Sequence, residues 1–287
     1  MPIIYDQTYK KWEGNLYRAS WSAWWAIARM EFRVLLQRKF IRLIVSIPPL
    51  LYFLVHSVQI YAANRIPQAG IVWRIDASFF KNFLLRNAVL PGLFICLVGI
   101  FSGSSLIAND LRYNTLPLYL SKPINWWDYL IGKIMVMLVW LGLITIIPSF
   151  LLLCEHLLLS DGISFLKNNS RLLCAIPLFS MLIILPISLL NLALSSLTTN
   201  HRYASIGFAS IVIGTPVLAE IIAQITRRDA FRMLSIWSNF DLLGHQLFGL
   251  NHNYKYPWYI ALLICGGLVV GSLWVLQNQI RAVKSIQ

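Results

Sequence analysis

Six runs of about twenty apolar residues recur along this chain, and about twenty is the length a helix needs to cross the hydrocarbon core of a bilayer. The runs cover residues 41–63, 87–108, 134–154, 172–197, 203–226 and 257–280. Helices are the expected form, because an open sheet edge in lipid would leave backbone groups unpaired. Composition agrees. Of 287 residues, 58% are hydrophobic and 12% charged, whereas a soluble domain carries about 25% charged residues. A water-soluble globule and a disordered chain are both excluded. The expected fold is an all-α membrane protein: residues 1–40 form a cytoplasmic arm and residues 41–287 a six-helix transmembrane domain.

The formal charge of +13 comes from basic residues that mostly flank the apolar runs. Lipid headgroups and topology explain them there, and no nucleic-acid-binding pattern accompanies them. No nucleic-acid partner is expected; membrane lipid is. Cys96, Cys154, Cys174 and Cys265 lie in or at the ends of apolar runs and read as small hydrophobes. The first forty residues lack the short apolar core of a cleavable signal peptide. Six spans put both termini on one side. The basic cluster from Lys10 to Arg42 places that side in the cytoplasm, because the first span usually sets orientation. The expected location is the cell membrane, in a bacterium the cytoplasmic one.

Before the first span, apolar residues recur at Trp21, Trp24, Trp25, Ala28, Phe32, Leu35 and Leu36, with Ser22, Arg29, Arg33 and Gln37 opposite. This helical period, with Trp on one face and Arg on the other, describes a helix lying in the membrane surface. A cytosolic helix packed on a partner is the alternative.

The connection between spans two and three is too long for a bare turn. It runs Asn109-Asp110-Leu111-Arg112-Tyr113-Asn114-Thr115-Leu116-Pro117-Leu118-Tyr119-Leu120, breaks at Ser121-Lys122-Pro123, and re-enters through Trp126-Trp127 and Tyr129-Leu130-Ile131-Gly132-Lys133. Proline forces a bend, so a short helix ends near Ser121. A lipid-facing loop explains the tryptophans but not the stretch before them.

Here the chain resembles the permease subunits of ATP-binding-cassette transporters, specifically the ABC-2 type. Asp110, Thr115-Leu116, Leu118, Leu120, Ser121-Lys122-Pro123 and the Tyr129–Lys133 entry match that pattern. Asn114 stands where glycine commonly precedes the threonine, and Asp110 where glutamate is commoner. The resemblance implies that Asn109–Leu120 is a coupling helix seated on an ATP-binding subunit. Its expected contacts are Leu116, Leu118 and Tyr119, with Asp110 and Thr115 in the motif and Arg112 at the rim. The loop Thr198–Arg202 is a possible second contact. The resemblance further implies two copies of the ATP-binding subunit, a second permease copy or sister permease, and export of a substrate. It also implies short helices in the outer leaflet between spans five and six that help close the exit.

The chain carries no phosphate-binding loop: Gly132-Lys133 lacks the upstream glycine and is followed by Ile134 rather than a hydroxyl residue. No cofactor is expected on this chain; ATP and Mg belong to the partner subunit. The chain itself is not expected to be an enzyme. The competing readings are a non-transporting membrane anchor and an intramembrane enzyme, for which Gly103-Ser104 lacks a partner histidine.

Polar residues inside spans mark the possible translocation path. Ser102 and Ser105 cluster beside Gly103, and Ser188, Asn191 and Ser195 share one face of the fourth span. Close helix packing through Gly99-x-x-x-Gly103 and hydroxyl bonds is the plainer use of these residues. Glu155-His156 ends the third span and is expected to meet water; Glu220 is solvated or paired. Between Arg227 and Tyr256, Trp237, Phe240 and Leu243 form the expected outer gate, with Asp241 and His245 turned to water. Asp241, His245 and His252 leave a metal conceivable by spacing, but without a fourth ligand they read as surface polarity.

Overall fold

The computed structural model describes residues 20–85, 92–120, 124–160, 165, 167, 169–252 and 254–285, and within these the side chains of 20–22, 67, 117, 118, 120 and 280–285 are not described. The arm before residue 20 and the Ser121-Lys122-Pro123 break therefore lie outside the described residues. In chain order the helices are α1 (Ser20–Gln37), α2 (Lys39–Arg65), α3 (Pro67–Val72), α4 (Ala77–Leu85), α5 (Leu93–Phe101), α6 (Ala108–Arg112), α7 (Thr115–Leu120) and α8 (Trp126–Leu159). They continue with α9 (Leu172–Ser196), α10 (His201–Thr226), α11 (Ile236–Phe248) and α12 (Trp258–Ser285), and two 3₁₀ turns cover Gly103–Ser105 and Asp229–Leu234. No strand occurs among the described residues.

Six segments are long and apolar enough to span a membrane: Lys39–Arg65, Leu93–Arg112, Trp126–Leu159, Leu172–Ser196, His201–Thr226 and Trp258–Gln279. They correspond one to one with the six apolar runs. The second, third and fourth bury 67, 56 and 61% of their apolar windows inside the chain; the first, fifth and sixth bury 22% each. The middle spans are thus the core, with α9 touching α8, α10 and α12. The outer three present Leu50, Leu54, Ile206, Val217, Leu263 and Val270 to their surroundings.

At 34 residues α8 is about 51 Å long, well beyond the ~30 Å hydrocarbon thickness. Asp128 accepts a hydrogen bond from the Asn125 N–H (3.2 Å) and fixes the helix start. Its first turns form a post on which α1 and α7 rest. At the far end, Glu155 accepts a hydrogen bond from the Ser57 hydroxyl (2.9 Å), and the Asn64 amide lies 3.1 Å from His156 Nδ1. The pair expected to meet water instead ties α8 to α2.

α1 packs lengthwise on α8, burying Ile27, Ala28 and Leu35. Trp25 and Leu36, which the periodicity groups with the apolar face, are half exposed. Gly132 lets the α1 backbone come close: a Cβ there would stand 2.9 Å from the Trp24 carbonyl oxygen.

The second span is interrupted. α5 ends at Phe101, a 3₁₀ turn follows, and helix resumes at Ala108. A break in lipid is tolerated only where its backbone groups find partners. Ser195 of α9 supplies them: its hydroxyl accepts from Ile107 N–H (3.1 Å) and Ala108 N–H (2.9 Å) and donates to the Ser104 carbonyl (2.8 Å). One hydroxyl thereby uses its whole bonding capacity.

Ser195→Ala leaves two buried N–H groups and one carbonyl without partners, a loss of about 1–3 kcal/mol for each group. We expect it to lower the thermal midpoint of the detergent-solubilised protein markedly. Ser196→Ala removes only a bond within α9, to Ala193 O (2.7 Å), and should lower it far less. Equal drops would show that the bridge does not hold the break.

Candidate functional site: a buried lysine between three helices

Lys133 lies on α8, two turns from its start, with its side chain wholly buried. An unpaired ammonium there would be prohibitively costly, so all three of its donors must be used. They are: Nζ bonds Glu31 Oε1 of α1 (2.5 Å), Asp110 Oδ2 of α6 (2.6 Å) and the Leu106 carbonyl (2.7 Å). The Tyr129 ring, one turn earlier on α8, lies 5.4 Å from Nζ. Its hydroxyl donates to Asp110 Oδ2 (2.7 Å), and Thr115 Oγ1 donates to Asp110 Oδ1 (2.9 Å). The cluster joins α1, the end of the second span, the start of α7 and α8 into one unit.

The turn between α6 and α7 hangs from this unit. Asn114 takes a left-handed conformation (φ 51°). Asparagine is among the few non-glycine residues that adopt it readily, which accounts for its place where the family pattern has glycine. The reversal splits the expected single helix into two short ones and turns Leu116 inward. Leu116 is 1% exposed and packs with Ile27 and Tyr129. What faces outward is Arg112, Tyr113 and Asn114, with the Arg112 guanidinium 5.6 Å from the Tyr113 ring centre.

The sequence-derived contacts therefore divide. Asp110, Thr115 and Leu116 hold the turn from within; Leu116 is corrected from a surface contact to a core one. Arg112 is exposed. Tyr119 is partly buried, its ring 5.6 Å from that of Tyr129, and burial raises its phenol pKa. Leu118 is outside the described side chains. Sequence reasoning quoted Tyr129, Gly132 and Lys133 within the matching motif without giving them partners, and passed over Glu31. The available signal was Glu31 itself: it falls on the stripe of Ala28 and Leu35, where an acidic residue needs a buried partner.

The residues expected along a path are interior. Ser102, Ser188, Asn191 and Ser195 have no exposure and Ser105 has 4%. The Asn191 carboxamide lies on the glycine step of the second span: a Cβ on Gly103 would stand 2.7 Å from Asn191 Oδ1, and one on Gly99 2.7 Å from Nδ2. Among the described residues neither amide atom, nor the Ser102 or Ser188 hydroxyl, has a hydrogen-bond partner. These groups line neither the slot beside α2 nor the groove along α10. A groove of about 380 Å³ instead runs along α10 beside α5, walled by Cys96, Val212, Pro216 and Trp237 and edged by Glu220 and Gln224. Glu220 is paired with Arg232 (3.2 Å).

At the end opposite α1, Trp237, Phe240 and Leu243 are buried. Trp237 Nε1 donates to the Val212 carbonyl of α10 (2.9 Å), and its ring covers Gly92, where φ is +66° and a Cβ would collide with the indole. The expectation that Asp241 and His245 face water is corrected. Lys81 of α4 lies between them, 2.7 Å from Asp241 Oδ1 and 2.8 Å from His245 Nε2, and the Tyr254 hydroxyl donates to Asp241 Oδ2 (2.7 Å). The ammonium occupies the position between Asp241 and His245. No group of three metal-ligating side chains occurs among the described residues.

Burial alone would raise the Asp241 carboxyl, but the Lys81 ammonium and the Tyr254 hydroxyl hold it below the ordinary carboxylate range. Burial and the charge of Lys81 lower the His245 imidazole.

Two outcomes follow for stability. Lys133→Met strands two buried carboxylates and should destabilise the protein by about 3–5 kcal/mol, with part recovered in Lys133→Met/Asp110→Asn. Reversible unfolding in mixed micelles measures this, and a loss below about 1 kcal/mol would mean that the cluster is not what holds the helices. At the other cluster, the unfolded chain takes up a proton at His245 near pH 6.5 that the folded chain refuses until lower pH. The stabilisation is therefore full above that pH and is lost as pH falls, with Asp241 adding a further loss below about pH 4. The thermal midpoint should drop between pH 7 and 5, and less so in His245→Gln; identical profiles would exclude His245 as the cause.

A family model described as ABC-2 family transporter protein matches residues 25–270, more than four-fifths of the chain. No curated protein matches the chain.

Proposed function

This chain belongs to the ABC-2 transporter family, and from that premise we propose that it is the permease of an exporter whose ATP hydrolysis is coupled to it through the Arg112–Asn114 turn. As a member of that family it is a multi-pass membrane component of an ABC transporter that works with an ABC ATP-binding partner. Our reading adds that the α1 end, with both termini, is cytoplasmic, that two ATP-binding subunits supply ATP and Mg, and that a second copy or sister permease completes the pore.

The observation that carries the reading is the Lys133 cluster. An exposed arginine–tyrosine turn, of the residue types that dominate binding surfaces, is bonded through buried charges to a helix that runs the full depth of the bundle. A displacement of the turn has to move α1, α8 and the broken second span together. Gly132 and Lys133 are spent on this packing, which supports placing nucleotide chemistry on another chain. The tight interior around Asn191 supports a path between two permeases, where the outer spans and the α10 groove are least covered.

Arg112→Glu/Tyr113→Ala should weaken the ATP-binding subunit's hold by about 2 kcal/mol or more, while the permease stays folded in the membrane. Co-purification and substrate-stimulated ATPase activity are the readouts. Leu116→Asp, by contrast, should lower permease stability itself. Normal co-purification and coupled activity in the surface double variant would place the interface elsewhere.

A further inference from the structure

A slot of about 680 Å³ lies between α2, α4 and the start of α5, within the range of roughly 300–1,000 Å³ typical of ligand pockets. One wall is a single face of α2: Pro48, Leu51, Tyr52, Val55, His56 and Gln59, spaced i, i+3, i+4, i+7, i+8 and i+11. That face rises about 16 Å, a length suited to an acyl chain. The facing wall is aromatic. Phe83 stacks on Tyr52 (5.0 Å between centres), Phe94 meets its edge (5.6 Å), and Phe79 lies 5.6 Å from His56. Leu51 and Val55 are 57 and 55% exposed, so the slot opens sideways along a membrane span.

Its polarity changes along its length. Apolar and aromatic groups line the part around Pro48–Val55. Towards the α2–α3 end the lining includes Gln59, Ser78 and Arg74 beside Val72 and Trp73, while Asn82 lies next to Phe83. None of the lining residues is acidic. Arg74 makes no ion pair among the described residues. The carboxylate two residues on, Asp76, is committed to the start of α4, accepting from the N–H of Ser78 (3.0 Å) and Phe79 (3.3 Å) and from the Ser78 hydroxyl (2.5 Å). An apolar slot open to hydrocarbon, ending in an unneutralised guanidinium and amides near the end of the span, matches an acyl chain bearing an anionic head.

We propose that this slot binds one anionic membrane phospholipid, with an acyl chain along Pro48–Gln59 and its phosphate at Arg74. The inference needs only the membrane-spanning fold and is independent of the coupling reading.

The test is native mass spectrometry of the purified chain in neutral detergent with phosphatidylglycerol or phosphatidylcholine added in equal amounts. Wild type should retain phosphatidylglycerol preferentially, by about fivefold, the scale of one basic residue near a lipid headgroup. Arg74→Gln should bring the ratio close to one. Val55→Trp, at an exposed position that tolerates bulk, should reduce retention of both lipids. A phosphatidylglycerol carrying a diazirine on its acyl chain should cross-link wild type within residues 48–59 or 79–94, without any substitution. Equal retention of the two lipids by wild type, retention unchanged in Val55→Trp, or cross-links confined to other segments would overturn the proposal.

Discussion

The ammonium of Lys133 is a full charge placed where almost no water reaches, and its neutralisation dictates the arrangement of one whole end of the molecule. A buried lysine needs carboxylates close by and cannot share them with solvent. The two that serve it come from different helices, one before the first span and one at the end of the second, so burying the charge forces those helices together. Tyr129 and Thr115 then occupy two further acceptor sites of Asp110. The short α6–α7 turn, which has little core of its own, gains a fixed position as a result.

The same logic, with different chemistry, operates at the interruption of the second span and at the opposite end. Ser195 closes a break in the backbone of another helix, and Lys81 bridges α4 to α11 through Asp241 and His245. In each case a polar group in a mainly apolar chain fixes two elements in register. Hydrophobic burial selects which faces meet but sets no single rotation about a helix axis; directional bonds do.

Spans were legible in the sequence because length and apolarity are local properties, and all six were found, although the third helix starts at Trp126, eight residues before the expected bound. The cluster was not legible, because Lys133 and Glu31 are 102 positions apart and nothing local to either names the other. Asp241 was placed in water for the same reason: its partner Lys81 is 160 positions away. The inward turn of Leu116 depends on one left-handed residue, Asn114, which the motif displayed but which composition and period do not interpret. Serines and an asparagine within spans stood out as polar groups among apolar ones, yet their spacing could not separate the inside of one chain from a surface lining a path.

α8 is one helix tied near both ends, by Lys133 two turns from its start and by Glu155 and His156 at the other, with Pro148 between them. About 34 Å of helix separates the two ties, enough to act as a lever. A rocking of only about 5° about Lys133 would carry the Glu155–His156 end some ~3 Å, by the length of helix between them. Because Ser57 and Asn64 are fastened to that end, the upper half of α2 has to follow. Under the proposed coupling, a small tilt imposed through the Arg112–Asn114 turn would thus reach the opposite end of the bundle as a sideways step.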